Sequence, residues 1–164
     1  LLEFSRSTYS AFDYIPVDKI IAEAVKAMEP HRGRVEIDIV YDCPKKMPKF
    51  RSPSLFQVFC NLIKNALSAM AGTGRLQITI QCTSEILAII FHDTGPGFAP
   101  ENAEAIFEPF FTTKTNGKGT GLGLAICKDI IEKYNGRITA KNAPDSGSIF
   151  TVHLPLTPEN TLQA

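Results

Sequence analysis

Length, composition and charge exclude several classes of protein before any motif is considered. The chain has 164 residues, enough for one domain with a sizeable core, and 44% of them are hydrophobic, as in an ordinary soluble globular protein. Its 17 basic side chains balance 17 acidic ones, so the net charge gives no reason to expect nucleic acid or an anionic membrane as a partner. No apolar run reaches the ~20 residues of a membrane-spanning helix.

The cysteines and histidines are scattered along the chain: Cys43, Cys60, Cys82, Cys127, His31, His92 and His153. No two cysteines form a C-x-x-C pair, and no histidine has the spacing of a metal ligand. We therefore expect reduced, mostly buried thiols in a cytosolic protein, and histidines with structural roles.

The N-terminal part of the sequence predicts the end of one domain and the start of another. Residues 1–14 show no clear hydrophobic period and Pro16 breaks the pattern, so we interpret them as the stub of a preceding domain. Asp18 is a suitable N-cap for a helix over about 19–29, which Pro30 stops.

Two strands and a long helix follow. Residues 35–41 alternate apolar and polar side chains, the pattern of a half-buried strand, and 49–51 would add a short strand. Ser52 and Pro53 have the residue types of an N-cap and a first helical position, which predicts the longest helix over about 53–71.

The C-terminal half contains four strands and one further helix. We predict strands over about 75–82, 86–92, 137–142 and 148–154, and a helix over about 122–134. The second of these strands is a continuous apolar run, which predicts a central position with both faces covered.

Together these elements predict an α+β fold. Three helices would cover one face of a mixed sheet of about five strands, as a two-layer α/β sandwich, and the other face would be exposed or docked on a neighbour. We expect this domain to span 15–156 and to be followed by a frayed tail over 157–164.

The long helix carries an unusual polar face. Asn61 and Asn65 are one turn apart and therefore share a side of the helix, although Asn is a poor helix former. One interpretation is a solvated stripe. The other is a pair of amide oxygens that meet phosphate oxygens or a hard cation such as Mg²⁺, which takes few protein ligands.

The glycine-rich segment 93–124 is the strongest functional signal. Asp93 follows a buried strand, where a carboxylate either caps the next turn or accepts a hydrogen bond from a ligand such as an adenine amine. Gly95 and Gly97 would keep that turn open for a flat base. A second glycine cluster runs into a helical pattern, and such a helix start suits a phosphate; the alternative is a surface loop.

Aromatic and basic side chains separate the two glycine clusters. Phe107, Phe110 and Phe111 would form a satellite core, an interface or the anchor of a lid. Lys114 and Lys118 follow them and could meet phosphate charge. The chain contains no P-loop, no G-x-G-x-x-G after a strand and no G-x-S-x-G elbow, which excludes the common motifs of three other enzyme classes.

In this order the segments resemble the catalytic ATP-binding domain of sensor histidine kinases, within the Bergerat-fold ATPase superfamily. The similar segments are Gln57–Ala66 (N box), Asp93–Gly97 (first glycine box), Phe107–Lys114 (F box), Gly119–Leu124 (second glycine box) and the closing Gly147–Pro155. The resemblance implies a Bergerat ATP-binding fold, ATP and Mg²⁺ as cofactors, and transfer of the γ-phosphoryl group to a histidine.

The same resemblance implies roles for individual residues. Asn65 would ligate Mg²⁺, Asn61 would lie beside it at the phosphates, and Lys114 would complete the catalytic set. Asp93 would bind the adenine amine. The other expected nucleotide contacts are Gly95, Gly97, Phe107, Gly119, Thr120, Gly121, Leu122, Gly123 and, through water, Ser148, with a lid over about 98–120.

Two departures refine the expectation. Ser68 stands where many histidine kinases have a basic residue, which moves the expected phosphate-neutralising cation to Lys114 and makes the pattern similar to that of nitrogen-regulator-like kinases. Asn61 stands where the related gyrases and chaperones have a general-base Glu. Without that base the phosphoryl group would pass to an external nucleophile rather than to water.

The resemblance also implies partners: ATP or ADP, a helical dimerisation domain that carries the phosphoacceptor His, and a downstream response regulator, with a homodimeric full-length protein and no nucleic acid. Leu1–Arg6 looks like the end of that helical domain, so we expect no autophosphorylation by this fragment alone. We expect a cytoplasmic location, which also fits the cytoplasmic part of a membrane sensor. Two alternatives stay open: a nucleotide-binding or docking module without transfer, and an anti-sigma-factor-type serine kinase.

Overall fold

A computed structural model describes residues 14–43, 46–112 and 119–158. The helices and strands are β1 Tyr14–Pro16, α1 Val17–Ala27, β2 Arg34–Asp42, β3 Lys49–Arg51, α2 Ser52–Ala69, β4 Thr73–Cys82, β5 Ile86–Asp93, α3 Gly123–Lys133, β6 Arg137–Asn142 and β7 Ser148–Pro155. Most of the expected N-terminal stub, most of the tail, and Lys114 and Lys118 lie outside the described residues. Among the described helices, none is both long enough and apolar enough to span a bilayer.

The main sheet has five strands in the order β2-β4-β5-β7-β6. The pair β2–β4 is parallel and the other pairs are antiparallel, so the sheet is mixed. With three helices against it, this confirms the predicted α+β sandwich. The strand β5 is central, as its apolar run predicted.

The prediction that β5 is covered on both faces is wrong. Its inward side chains Leu87, Ile89 and Phe91 are buried, whereas Ile86 on the outward face is 43% exposed and Ala88 is partly exposed. A continuous apolar run cannot distinguish the two faces of a strand, because the outward positions here are apolar without being covered.

A second, two-stranded sheet pairs β1 with β3 in antiparallel register. The short strand β3 was predicted. The strand β1 was not, because three residues that include Pro16 are too few to show an alternation.

The helix α1 begins two residues earlier than predicted, and its N-cap is Pro16 rather than Asp18. The backbone N–H of Val17, the first helical residue, donates to the Pro48 carbonyl at 2.9 Å, so a contact distant in sequence fixes this start. Asp18 lies in the first turn, where a negative charge interacts favourably with the helix dipole.

The helix α2 forms the middle of the helical layer. It begins at Ser52, with Arg51 as the N-cap and Pro53 in its first turn, so the predicted start was one residue late. Its inward side chains, including Leu55 and Phe59, are fully buried, and the Phe59 ring lies 6.0 Å from that of Phe91 on β5. This packing fixes the opposite, polar side of α2 relative to the sheet.

Two of the four cysteines contradict the expectation of reduced thiols. Cys43 and Cys82 form a disulfide, with their Cα atoms 4.8 Å apart, whereas Cys60 and Cys127 are free. The parallel pairing of β2 and β4 brings the two strand ends together, and a separation of 39 residues concealed this proximity in the sequence.

Candidate functional site

Asp93 is the last residue of β5 and is 2% exposed. One oxygen, Oδ1, accepts the backbone N–H of Gly95 at 2.8 Å and that of Ser148 at 3.4 Å. The other, Oδ2, accepts the Ser148 hydroxyl at 2.5 Å. The carboxylate therefore caps the following turn. Because a carboxylate oxygen has two lone pairs, Oδ2 keeps the capacity to accept one further hydrogen bond from a ligand.

The first glycine box lies against the hairpin that joins β6 to β7. A Cβ atom on Gly147 would be 1.8 Å from the Asp93 carbonyl oxygen, so only glycine allows this approach. Gly97 has φ +75°, and a Cβ there would lie 2.6 Å from Oδ1 of Asn142. Gly97 and Gly147 thus allow the first glycine box to pack closely against the β6–β7 hairpin, in addition to any role in leaving space for a ligand.

Asn142 is a residue that sequence reasoning missed. Its Oδ1 accepts the backbone N–H of Phe98 at 3.0 Å, and its Nδ2 donates to the Phe98 carbonyl at 2.6 Å. Its position, at the end of a predicted strand and just before a turn, gave no signal of this contact, because the partner is 44 residues away.

The polar face of α2 connects the two glycine boxes. The Asn61 amide donates to the Gly123 carbonyl at 3.3 Å, and a Cβ on Gly95 would lie 3.2 Å from the Cβ of Ala69. Asn61, Asn65 and Ala69 follow each other at intervals of four residues and share one side of the helix. Asn65 therefore lies between the second glycine box and the first.

The side chain of Asn65 is only partly buried, and no hydrogen bond joins it to another residue in the described ranges. An unpaired amide oxygen is a suitable ligand for a hard cation. Within the part of the chain that the structure describes, no group of three His, Cys, Asp or Glu side chains could hold a metal ion by itself. The amide oxygen of Asn65 fits the expected Mg²⁺ site, in which ligand phosphates would supply further oxygens.

The second glycine box leads into α3, which begins at Gly123 with Leu122 as its N-cap. No described side chain caps this helix start, so its first N–H groups remain available. The Thr120 hydroxyl accepts the N–H of Leu122 at 3.4 Å and orders the approach to the helix. The available N–H groups and the positive end of the helix dipole are the features that bind phosphate.

Phe110, in the middle of the predicted lid over 98–120, contacts Gly121, the residue that follows the lid. The Phe110 N–H donates to the Gly121 carbonyl at 2.9 Å, and a Cβ on Gly121, where φ is +66°, would lie 2.4 Å from the Phe110 carbonyl carbon. Gly119, an expected nucleotide contact, lies two residues before Gly121. The expected cation Lys114 lies outside the described residues.

The three phenylalanines of the F box do not form one exposed cluster. Phe107 is 7% exposed, and its ring packs edge-on against Phe150 of β7 at 6.3 Å. Phe111 is partly buried against the core, whereas Phe110 is 75% exposed. Phe107 thus packs on the sheet without a ligand, and both the lid and its contact with a nucleotide stay predictions.

The free thiols near α2 are not nucleophiles at neutral pH. Burial raises the pKa of Cys127 to about 12, although a hydrogen bond with Asn61 opposes the rise, and burial raises the pKa of Cys60 to about 11. Both thiols remain protonated. The site thus contains amides, backbone N–H groups and one buried carboxylate, a set suited to binding and orientation.

Comparisons with known proteins agree with this geometry. The family model described as histidine kinase-, DNA gyrase B-, and HSP90-like ATPase matches residues 51–158. The signal transduction histidine-protein kinase AtoS of Escherichia coli (strain K12) is 32% identical over 162 residues, 97% of this chain and 26% of that protein. Sensor histidine kinase ZraS of Klebsiella oxytoca is 29% identical over 159 residues, 95% of this chain and 34% of that protein. The chain thus spans about a quarter to a third of these relatives' length.

A solved structure shows the same fold. The catalytic domain of histidine kinase ThkA superposes with a TM-score of 0.74 at 27% identity, covering 90% of this chain and 97% of that chain. The structure of ThkA in complex with the response regulator protein TrrA gives a TM-score of 0.73 at 26% identity, covering 90% of this chain and 42% of that chain.

Proposed function

We propose, from the premise that this chain belongs to the family of histidine kinase-, DNA gyrase B- and HSP90-like ATPases, that it is the ATP-binding catalytic domain of a sensor histidine kinase. It binds Mg-ATP and transfers the γ-phosphoryl group to a His on a separate helical dimerisation domain. The observation that carries this function is the α2 face on which Asn61 and Asn65 run from one glycine box to the other.

Each end of the nucleotide meets a different part of the site. Asp93 accepts a hydrogen bond from the adenine amine, and its burial strengthens that bond because water does not compete for it. The N–H groups at the start of α3, near Gly121, Leu122 and Gly123, hold the phosphates. Asn61 fixes that helix start through the Gly123 carbonyl.

Magnesium, when bound, would neutralise phosphate charge, with Asn65 as its protein ligand. Neither the amide of Asn61 nor the protonated thiols of Cys60 and Cys127 can accept a proton from water. Asn61 therefore orients the phosphates without activating a hydrolytic water, so the phosphoryl group passes to an external nucleophile.

The phosphoacceptor domain would make the whole protein a homodimer, and a response regulator would receive the phosphoryl group from the His. A solved relative, ThkA, was captured with its response regulator, which supports this partner class. We propose a cytoplasmic location because Mg-ATP is the substrate, although the Cys43–Cys82 disulfide is unusual in that compartment.

Isothermal titration of the chain with Mg-ADP and with a non-hydrolysable ATP analogue tests the binding step. Radiolabelled ATP and the dimerisation domain of the full protein, supplied in trans, test the transfer. We expect acid-labile phosphate on a histidine, and none when Asn65→Ala replaces the wild-type chain. Binding without transfer would indicate a docking module, whereas acid-stable phosphate on serine would indicate a serine kinase.

A further inference from the structure

We propose that Asn142 is a positioning residue for the adenine pocket, an inference that rests on the proposed function. Its side-chain amide holds the backbone of Phe98, the first residue after the first glycine box. By this contact it fixes the far end of that box.

The contact has the geometry of paired strands. Both polar groups of the Phe98 backbone are bonded to one side chain, the N–H to Oδ1 at 3.0 Å and the carbonyl to Nδ2 at 2.6 Å. At neutral pH an amide side chain offers one acceptor and one donor side by side in this way, whereas an ionised carboxylate offers only acceptors. Asn142 is half-buried, so both bonds are partly shielded from water.

One hairpin holds the glycine box at both ends. Asn142 is the last residue of β6 and pairs across the sheet with Ser148, whose hydroxyl and N–H bond to Asp93. The N–H of Ala143 donates to the Gly147 carbonyl at 3.0 Å and closes the hairpin turn. The segment 93–97 is therefore held at its start by Ser148 and just after its end by Asn142, which both belong to the β6–β7 hairpin.

The path of the loop depends on this amide. Gly97 has φ +75° and approaches Oδ1 of Asn142 so closely that a Cβ would lie 2.6 Å away. The ring of Phe98 packs separately on Phe150, with ring centroids 6.3 Å apart. Loss of the amide would leave that packing in place, so the backbone loosens without unfolding the domain.

The test compares Asn142→Ala and Asn142→Asp with the wild-type chain, and uses Thr139→Ala on the same strand as a matched control. Two measurements are made on each protein: the Kd for Mg-ADP, and the amide hydrogen exchange of Phe98 by NMR without nucleotide. For Asn142→Ala we expect Kd to rise on the order of tenfold and the Phe98 amide to exchange faster, while amides in β5 keep their protection.

Asn142→Asp provides a signature that a purely structural role would not give. At neutral pH its carboxylate still accepts the Phe98 N–H but repels the Phe98 carbonyl, so affinity falls. When the pH is lowered and the new carboxyl takes up a proton, it donates to that carbonyl. The ratio of the variant's Kd to the wild-type Kd is therefore expected to decrease toward acid pH.

The outcomes separate the inference from the proposed function. If the wild-type chain binds no Mg-ADP, both are overturned. If Asn142→Ala binds Mg-ADP as the wild type does although Phe98 exchanges faster, the inference is wrong and the function stands. Unchanged exchange at Phe98 also overturns it. Should Asn142→Ala fail to fold, the pH dependence of Asn142→Asp decides, and a flat ratio contradicts the role.

Discussion

At the scale of single residues, Asp93 combines two tasks that the sequence presented as alternatives. It caps the turn through Gly95 and orients Ser148, and it still has an oxygen able to accept a ligand's hydrogen bond. The turn and the ligand contact therefore depend on the same carboxylate. A substitution of Asp93 should therefore weaken ligand binding more than a substitution of Ser148, its hydrogen-bond partner.

Asp93→Asn should weaken Mg-ADP binding by about 1.5–3 kcal/mol, or about 10–150-fold in Kd, because it removes a charged hydrogen-bond acceptor. Isothermal titration measures this directly. Ser148→Ala is the comparison variant: it removes one hydroxyl bond to Asp93 but keeps the carboxylate that would accept the adenine amine, so it should weaken Mg-ADP binding less than Asp93→Asn does. Equal effects of the two changes would show that the carboxylate acts only through Ser148.

A comparison of Gly147 with Gly72 separates the cost of close packing from the cost of backbone strain. Gly147 and Gly72 have nearly the same φ, +90° and +89°, but a Cβ on Gly147 would be 1.8 Å from the Asp93 carbonyl, whereas nothing lies within 4 Å at Gly72. Gly72→Ala should cost about 1 kcal/mol from strain alone. Gly147→Ala should cost at least about 2 kcal/mol more. Urea denaturation gives both values, and similar losses would contradict the close contact.

The sequence indicated which residues form the candidate site but not which contacts hold their loops in place. Asn61, Asn65 and Asp93 stood out because an amide pair on a helix and a carboxylate after a buried strand need a reason. Asn142 did not, because an Asn before a turn is ordinary and its partner Phe98 is distant in sequence. Contacts that close a loop from afar leave no local pattern.

At the scale of elements, long periodic segments were predicted best. The helix α2 and the five strands of the main sheet follow from apolar spacing, because burial on one side imposes that spacing. The start of α1 did not follow, because the Pro48 carbonyl fixes it from another segment. The single-sided burial of β5 and the pairing of Cys43 with Cys82 likewise depend on what packs or pairs nearby.

The disulfide should stabilise the edge of the sheet without affecting the site. It closes a segment with a sequence separation of 39, so its reduction should lower the free energy of unfolding by about 3–4 kcal/mol through chain entropy. Cys82 pairs with Leu87 at one end of the β4–β5 pair, whereas Asp93 pairs with Leu76 at the other end. The disulfide is therefore distant from Asp93, and its reduction should not change the affinity for Mg-ADP. Denaturation with and without a dithiol reductant measures the first effect.

A double variant, Cys43→Ala with Cys82→Ala, controls for other effects of the reductant. It should match the reduced wild type in stability and should not respond to the dithiol. A reductant-sensitive double variant would assign the effect to Cys60 or Cys127 instead.

At the scale of the whole molecule, His153 links stability to pH. It lies on β7 opposite Arg137 of β6, and burial, with a smaller contribution from the charge of Arg137, lowers its pKa from the ordinary 6.5. The folded protein therefore favours the neutral imidazole. Its contribution to stability is present above pH 6.5 and is lost as the pH falls through the lower, folded-state pKa.

His153→Gln should remove this part of the acid sensitivity. The free energy of unfolding of both proteins is measured by urea denaturation at a series of pH values from neutral downward. The two free energies should approach each other as the pH falls below 6.5, because only the wild type takes up a proton at residue 153 on unfolding. Thr139→Ala, a change of a non-titrating side chain on the neighbouring β6, is the control and should keep the wild-type slope. Parallel curves for wild type and His153→Gln would contradict the lowered pKa.

Ligand binding and folding are linked in the same molecule, which allows the metal to be tested without any assay of transfer. A ligand that binds only the folded state at a hundred times its Kd adds about 2.7 kcal/mol, or roughly 5–11 °C in Tm for a domain of this size. We expect Mg-ADP to raise Tm by this much and a chelator to reduce the rise. Since Asn65 would be the protein ligand, Asn65→Ala should give the same small rise with or without Mg²⁺.

Gln57→Ala, at an exposed position of the same helix, is the matched control and should keep the full difference between the two conditions. The quantity compared is the Tm rise with Mg²⁺ minus the Tm rise with chelator, in each variant and in the wild type. This difference reports the metal alone, because the stability without ligand cancels and adenine binding at Asp93 contributes equally with and without chelator. A chelator effect in Asn65→Ala as large as in the wild type would mean that Mg²⁺ is held by the phosphates alone. The amide of Asn65 would then serve orientation, like that of Asn61.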